Sequence, residues 1–299
     1  MKILVFGGSG LVGSKFCELY QDRLKIDAPS AIKVSILEKD QLFKAVRTLK
    51  PQIVINLAAF TDVQGAQEQK GKEDELCYQI NVLGAKNVAE VCQEINIRLI
   101  HISTDYVFDG QKNESPYIEE DKPNPVNWYG QTKFYGEENV KNSGAYFVIV
   151  RISMPYVAKY EAKKDVARFF LDELRAGREV NAINDQRITP TLGDDIINAL
   201  AEISKSFLVG TNKSNIYHIS VTDDTTPFDF AVMIAEAFNL DTGLIKAVSL
   251  DEYNSDKAAR LLRYSRLDPT RFIQEHGKNI LHTALENVKS FKQMVDSVS

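Results

Sequence analysis

Cysteine is scarce in this chain. Its three cysteines, Cys17, Cys77 and Cys92, are odd in number and scattered, so they form no disulfide framework. Each falls in an expected helix among apolar neighbours and reads as a buried thiol. Histidine is nearly as rare. His101, His218, His276 and His282 share no metal-ligand spacing, and no catalytic metal is expected. Runs of lysine or arginine are missing and the net charge is −5, which leaves nucleic acid without an electrostatic footprint. No apolar stretch approaches the length of a membrane span. The chain starts in a strand-like run, so no signal or transit peptide is expected there. Linkers rich in Gly, Ser or Pro, internal repeats and low-complexity tracts are missing too, and the charged run Lys70–Glu75 reads as a solvated loop. What remains is an ordinary soluble composition, 44% apolar and 26% charged over 299 residues. That is enough for one large or two modest domains, with the cytoplasm as the expected location.

Apolar runs of strand length alternate with helical patterns from the first residue to about Val150. Strands are expected at Ile3–Phe6, Ile53–Leu57, Leu99–Ser103 and Ala145–Arg151. Their nearly continuous apolar character suits parallel strands covered on both faces. Helices are expected at Leu11–Tyr20, Lys39–Leu49, Glu73–Glu94 and Tyr129–Asn142. This alternation predicts an α/β fold on a doubly wound (Rossmann) parallel sheet. Pro29 interrupts the pattern between Asp22 and Leu37, where two short strands are placed, near Leu24–Ala28 and Lys33–Leu37. Beyond Arg151 the rhythm loosens: Val166–Ala176, Asp194–Ser204 and Pro227–Phe238 read as helices and Asn215–Ser220 as a strand. The expected organisation is a first domain of residues 1–150 and about 187–219. A second, smaller, interleaved α/β lobe takes about 151–186 and 220–299.

The first strand runs directly into Gly7-Gly8-Ser9-Gly10-Leu11-Val12-Gly13. Gly7, Gly10 and Gly13 follow a G-x-x-G-x-x-G pattern between a strand and a helix. A tight turn there needs φ values that glycine adopts cheaply, and a side chain at Gly10 would block the backbone from a pyrophosphate. The helix N-terminus beyond, at Leu11 and Val12, offers free N–H groups to that anion. A dinucleotide cofactor, NADP or NAD, is therefore expected. The choice between them stays open. Asp27 stands where a ribose-binding carboxylate would mark NAD but fits a polar strand end as well, and no arginine follows Arg23 in that stretch. Farther on, Asn56-Leu57-Ala58-Ala59 closes a strand with small residues, and Leu57, Ala58 and Ala59 can lie against a flat ligand.

Tyr129 and Lys133 are four positions apart in Trp128-Tyr129-Gly130-Gln131-Thr132-Lys133, on one face of a helix. A phenol has an ordinary pKa near 10. A lysine ammonium close by, with a positive nicotinamide, is expected to lower it and let Tyr129 exchange a proton with a carbonyl or alcohol oxygen. About 25 residues upstream, at a strand end, Ser103 or Thr104 would hydrogen-bond the same oxygen. Hydride from a cofactor, proton from a phenol and orientation from a hydroxyl are the parts that ketone reduction needs.

With Gly7–Gly13, Pro51–Asp62 (PQIVINLAAFTD), Asn81-Val82, His101–Gly110 (HISTDYVFDG), Tyr129–Lys133 with Gly136-Glu137, and Asp185–Asp194 (DQRITPTLGD), the chain resembles the extended short-chain dehydrogenase/reductases. Within them it is similar to dTDP-4-dehydrorhamnose reductases. The resemblance implies a two-lobed fold, the cofactor on the sheet, a nucleotide-sugar in the cleft, and reduction of a 4-keto sugar. It implies Thr104, Tyr129 and Lys133 as the catalytic set. Gly7, Gly10, Leu11, Val12, Gly13, Leu57, Ala58, Ala59 and Asn81 join Tyr129 and Lys133 at the cofactor. Ser103, Asp105, Tyr106, Phe108 and Arg187 are expected at the substrate, with Arg187 or the Arg260/Arg263 pair approaching its diphosphate. A homodimer is compatible with it. Departures fall at Ala31 and Ser35, where the family often has arginine and aspartate, at Met154, where it often has tryptophan, and at Leu261-Leu262, where Arg-Pro is expected. The same subfamily holds a non-catalytic type, the regulatory beta subunit of methionine adenosyltransferase, which keeps the fold and binds a dinucleotide. A nucleotide-sugar epimerase is a further alternative. A dehydratase ranks lower, because Asp105 is followed by Tyr106 rather than a carboxylate.

Overall fold

The structure, a computed structural model, describes residues 1–213 and 215–298. Six strands form the main sheet, in the order Ile216–Ile219, Phe147–Ile152, Arg98–Thr104, Ile53–Asn56, Lys2–Phe6, Lys25–Asp27. Pairings among the last four are all parallel. Ile3, Leu4, Val5, Ile53, Val54 and Ile55 have no exposed surface. These are the runs whose continuous apolar character called for cover on both faces. Helices Lys39–Leu49, Ala85–Ile95 and Trp128–Asn142 supply part of that cover through Leu42, Val46, Val88, Val91 and Val140.

Two expectations are corrected here. No strand forms at Lys33–Leu37, where the chain runs through turns. Side chains satisfy its backbone in place of a ladder. The Ser35 N–H donates to Gln41 Oε1 at 3.0 Å, the Leu37 N–H to Ser35 Oγ at 3.2 Å, and the Asn87 amide to the Ile36 and Leu37 carbonyls. The helix expected over Glu73–Glu94 begins only at Leu76 and is not uniform. Leu76–Tyr78 opens it, Gln79–Gly84 is a π-helical turn, and Ala85–Ile95 is α-helical. Such bulges cluster at functional sites because they re-aim a side chain. This one carries Asn81.

The chain forms two compact units: residues 1–109, 122–151 and 200–217, and residues 110–121, 152–199 and 218–299. The expected spans differ from these in two places. Residues 110–121 leave the first unit, and the return to it comes at Leu200, part-way along helix Gly193–Val209, rather than near residue 187. In the second unit, helices Val166–Arg175, Pro227–Ala237 and Ala284–Val298 meet a parallel pair of strands, Val180–Ile183 and Ile245–Val248. Tyr156 is central there, edge-on to Phe230 at 5.4 Å and to Phe291 at 5.5 Å. Helix Pro227–Ala237 starts where its sequence directs: Pro227 sits in the first turn, and Thr226 Oγ1 accepts the Asp229 N–H at 2.9 Å while donating to the Asp229 carboxylate. Among the described residues, no helix is long and apolar enough to cross a membrane.

Candidate active site

The glycines of the first turn are glycine for different reasons. Gly7 has φ +80°, and a Cβ there would lie 2.5 Å from the Ala58 nitrogen. A Cβ on Gly13 would overlap the Gly7 carbonyl oxygen. Backbone packing forbids side chains at both. Gly10 has an ordinary φ of −74°, and the nearest atom to a Cβ would be the Gly7 oxygen at 3.3 Å. Gly10 begins helix Leu11–Tyr20, and no side chain caps that helix. The protein itself asks little of position 10. A ligand that brings an anion up to the helix N-terminus does ask for glycine there, so the turn fits a dinucleotide pyrophosphate.

Strand Arg98–Thr104 delivers Thr104 at its end, and a single 3₁₀ turn, Asp105–Val107, follows. Helix Trp128–Asn142 is fixed against that turn. Asn127 caps it by accepting the Gly130 N–H at 2.9 Å, and Gly130 is so close to the Tyr106 carbonyl that any Cβ would overlap it. Tyr129 on the first helical turn thus comes up beside Thr104, near enough for that hydroxyl to act on its phenol, and meets Tyr106 edge-on, ring centroids 5.6 Å apart. One turn on, Lys133 Nζ donates to the Ile102 carbonyl at 2.6 Å, on the strand that carries Thr104. Ser103, Thr104, Asp105, Tyr129 and Lys133 are all buried. The Thr104 hydroxyl also donates to Asp105 Oδ1 at 2.9 Å.

The electrostatics differ from expectation. Burial raises the Tyr129 pKa, Asp105 and Cys77 add to the rise, and only the Thr104 hydrogen bond opposes it. Lys133 does not lower it. That ammonium is turned to the Ile102 carbonyl, and burial pulls its own pKa down to about 8. Within the protein alone, Tyr129 is therefore a firmly protonated phenol and Lys133 a buried cation held at a cost.

Three residues expected at a ligand have partners within the protein. Asn81, expected at the cofactor, is buried, and its amide is committed. Its Oδ1 accepts the Phe60 N–H at 2.9 Å, and its Nδ2 donates to the Phe60 carbonyl and to Thr132 Oγ1, the latter at 3.1 Å. It clamps the loop after strand Ile53–Asn56 to the helix of Tyr129. Phe108 is buried with the Arg151 guanidinium 5.1 Å from its ring centre, a packing position. Arg187, in the second unit, is ion-paired to Asp224, and Arg263 holds Asp185 at 2.5 Å and Asp251 at 3.1 Å. A diphosphate would have to displace those carboxylates. Tyr106 is half-buried beside Tyr129, as a wall residue would be.

The sequence matches the family described as the RmlD substrate binding domain over residues 1–295. The chain belongs to that family. Among its relatives is the dTDP-4-dehydrorhamnose reductase of Aggregatibacter actinomycetemcomitans, 29% identical, with 98% of this chain and 99% of that protein covered. The crystal structure of the dTDP-4-dehydrorhamnose reductase of Bacillus anthracis, in complex with NADP, superposes with a TM-score of 0.86 at 29% identity, covering 98% of this chain and 99% of that one. Methionine adenosyltransferase 2 subunit beta of Rattus norvegicus is 24% identical over 83% of this chain and 75% of that protein.

One feature of this RmlD-family site was not anticipated as a pair. Glu137, four residues after Lys133, is fully buried and gripped by Arg151, with Nε at 2.8 Å and Nη2 at 2.7 Å from its two carboxylate oxygens. Burial pushes the Glu137 carboxyl up, but the Arg151 grip outweighs it and holds the pKa below its usual value. A glutamate in the register of Tyr129 and Lys133 was the available signal. Its partner lies on strand Phe147–Ile152, and nothing in the spacing names it.

Proposed function

We propose that the chain reduces the 4-keto group of a nucleotide-sugar with NADPH or NADH, as a dTDP-4-dehydrorhamnose reductase. The observation that carries this is the Tyr129 phenol, buried, protonated and beside Thr104 at the end of the strand that anchors Lys133. A bound reduced nicotinamide supplies the hydride. Tyr129 gives its proton to the carbonyl oxygen as that oxygen gains charge. Thr104 turns its hydroxyl from Asp105 to the same oxygen and steadies it. Lys133, one helical turn on, holds its ammonium on the Ile102 carbonyl of the strand that carries Thr104. Gly7, Gly10, Leu11, Val12 and Gly13 take the pyrophosphate, and Leu57, Ala58 and Ala59 lie along the dinucleotide. Ser103, Asp105 and Tyr106 border the sugar. In the second unit, a cavity of about 390 Å³ bordered by Phe169, Asn181, Gln186 and Tyr253 has apolar walls and amide groups. The reading extends to a cytoplasmic homodimer, which sedimentation of the purified chain checks.

The test is direct. Purified chain, dTDP-4-dehydrorhamnose and NADPH or NADH should give loss of reduced-nicotinamide absorbance and dTDP-rhamnose as product. The likeness to methionine adenosyltransferase 2 subunit beta supports one other reading, a dinucleotide-binding regulatory subunit. It forecasts dinucleotide binding, silence across several 4-keto nucleotide-sugars, and a stoichiometric protein partner recovered from the native cell. Those three results together would displace the enzyme.

A further inference from the structure

Asn56 and His101 are register partners where strands Ile53–Asn56 and Arg98–Thr104 pair. Both are buried to 1% exposure. Asn56 Nδ2 lies 3.3 Å from His101 Nδ1, and Asn56 Oδ1 accepts the Ala58 backbone N–H at 3.2 Å. The second bond decides the first. A backbone N–H can only donate, so the amide oxygen must face Ala58 and the NH₂ must face His101. His101 Nδ1 is then a bare acceptor, and the ring proton sits on Nε2, which is buried with no hydrogen-bond partner. Burial and the Lys133 charge keep the ring neutral. Were Nδ1 protonated, two donors would meet, and turning the amide to relieve that would strip Ala58 of its acceptor. Ala58 is also the residue whose nitrogen would lie 2.5 Å from a Cβ on Gly7. A continuous path therefore runs from the buried imidazole, through one buried amide, to the half-buried contact between the Leu57–Ala59 turn and the glycine turn.

We propose that His101 is a positioning residue for the dinucleotide: through Asn56 it sets the Leu57–Ala59 turn against Gly7, so that both backbones meet the cofactor in register. This rests on the dinucleotide reading of the first unit. At the strand end the Leu57 N–H still donates to the Phe6 carbonyl at 2.9 Å and Asn81 holds Phe60; between these two anchors the Asn56 bond and the Gly7 contact act on Ala58. His101 touches no reacting atom.

Two substitutions separate the hydrogen bond from bulk. Asparagine at 101 puts its Oδ1 where Nδ1 stands, whereas glutamine fills more of the ring volume but carries its amide near the Nε2 position. With NADPH and NADH as probes in calorimetry, His101→Asn should stay within about threefold of the parent Kd, and His101→Gln should weaken binding about tenfold, one buried hydrogen bond. Turnover at saturating cofactor should change less than Kd in both. The opposite order, with glutamine binding better than asparagine, would make His101 a packing residue and overturn the proposal. Should neither variant fold, ¹⁵N shifts of the His101 ring in the unsubstituted protein decide the matter. A proton on Nε2 and a bare Nδ1 support it, and a proton on Nδ1 overturns it. If the unsubstituted protein binds no dinucleotide while the ring keeps the Nε2 proton, the failure lies with the reductase reading and not with the His101 geometry.

Discussion

Lys133 is a cation stored in the protein interior, and its cost can be measured without substrate or cofactor. Burial brings its pKa from 10.5 to about 8. Between those values the unfolded chain holds a proton that the folded chain has released, so stability rises with pH across that window. Near pH 7 both states are charged, and the folded state carries the whole penalty. The shift corresponds to about 3 kcal/mol at about 1.4 kcal/mol per pKa unit. Methionine has nearly the same shape and no charge. Lys133→Met should remove that penalty but leave the Ile102 carbonyl without its donor, a loss of about 1 kcal/mol. The net expectation near pH 7 is a variant more stable than the parent by about 2 kcal/mol. The gain should shrink as pH rises and be close to zero by about pH 9.5, where the folded lysine is neutral and the unfolded one is losing its proton. Urea unfolding of both proteins at several pH values, followed by circular dichroism, measures it. A variant less stable than the parent at neutral pH, or a difference that does not move with pH, would refute the reasoning. The same variant should be a dead reductase, so that stability is gained where function is lost.

Tyr129→Phe removes only the phenolic oxygen. It should keep dinucleotide affinity and lose reduction by about 10²–10⁴, read from steady-state turnover beside calorimetry. Thr104→Val should slow turnover by about 10²–10³, with substrate KM nearly unchanged. Gly10→Val should fold, because its Cβ meets only the Gly7 oxygen at 3.3 Å, yet fail to bind NADPH or NADH; Gly7→Val, with its Cβ 2.5 Å from the Ala58 nitrogen and φ at +80°, should fail to fold at all, so thermal melts and calorimetry together separate the two glycines. Glu137→Gln leaves Arg151 as an uncompensated buried charge and should cost about 3–5 kcal/mol in chemical unfolding. The Glu137 contribution is present above its ordinary pKa of 4.5 and is lost as pH falls through its lower folded value, so parent and variant should converge in acid.

Local chemistry made most of the first unit legible. The runs Ile3–Phe6 and Ile53–Asn56 are apolar because both faces are covered, and that alone marks them as parallel strands. The glycine turn and the Tyr129–Lys133 spacing are short-range patterns, and their elements came out close to expectation. What was hidden depends on partners far along the chain. Val34, Ile36 and Leu37 are apolar enough for a strand, but Asn87, about 50 residues on, binds the Ile36 and Leu37 carbonyls and keeps them in turns. The π-helical turn at Gln79–Gly84 has no signature in local propensity, because it exists to aim Asn81 at Phe60 and Thr132. Phe108 reads equally as a wall or as packing until Arg151 is placed over its ring. The polar residues in two apolar strands, Asn56 at the end of one and His101 in the middle of the other, were visible as exceptions. Their pairing needed the register.

The direction of proton transfer follows from the same burial. A ketone reductase needs Tyr129 to start as an acid, with its proton in place when the carbonyl oxygen takes on charge. An epimerase that works through transient oxidation needs Tyr129 to start as a base, stripped of that proton. Burial, Asp105 and Cys77 all raise the Tyr129 pKa, so the protein's own groups favour the phenol. Lys133, the one cation placed to favour the phenolate, spends its Nζ on the Ile102 carbonyl. Any phenolate here must therefore draw its stabilisation from the positive charge of an oxidised nicotinamide. With NADPH or NADH bound that charge is absent and Tyr129 stays protonated, as reduction requires. The consequence can be checked in both directions with one enzyme. The pH profile of ketone reduction should be flat through neutrality and fall only in alkali. The reverse oxidation of the product alcohol should rise with pH over the whole range in which the fold survives, since each unit of pH adds phenolate that burial otherwise suppresses. A reverse reaction fastest at neutral pH would mean that Tyr129 is already deprotonated there, and the proton donor for reduction would have to be another group.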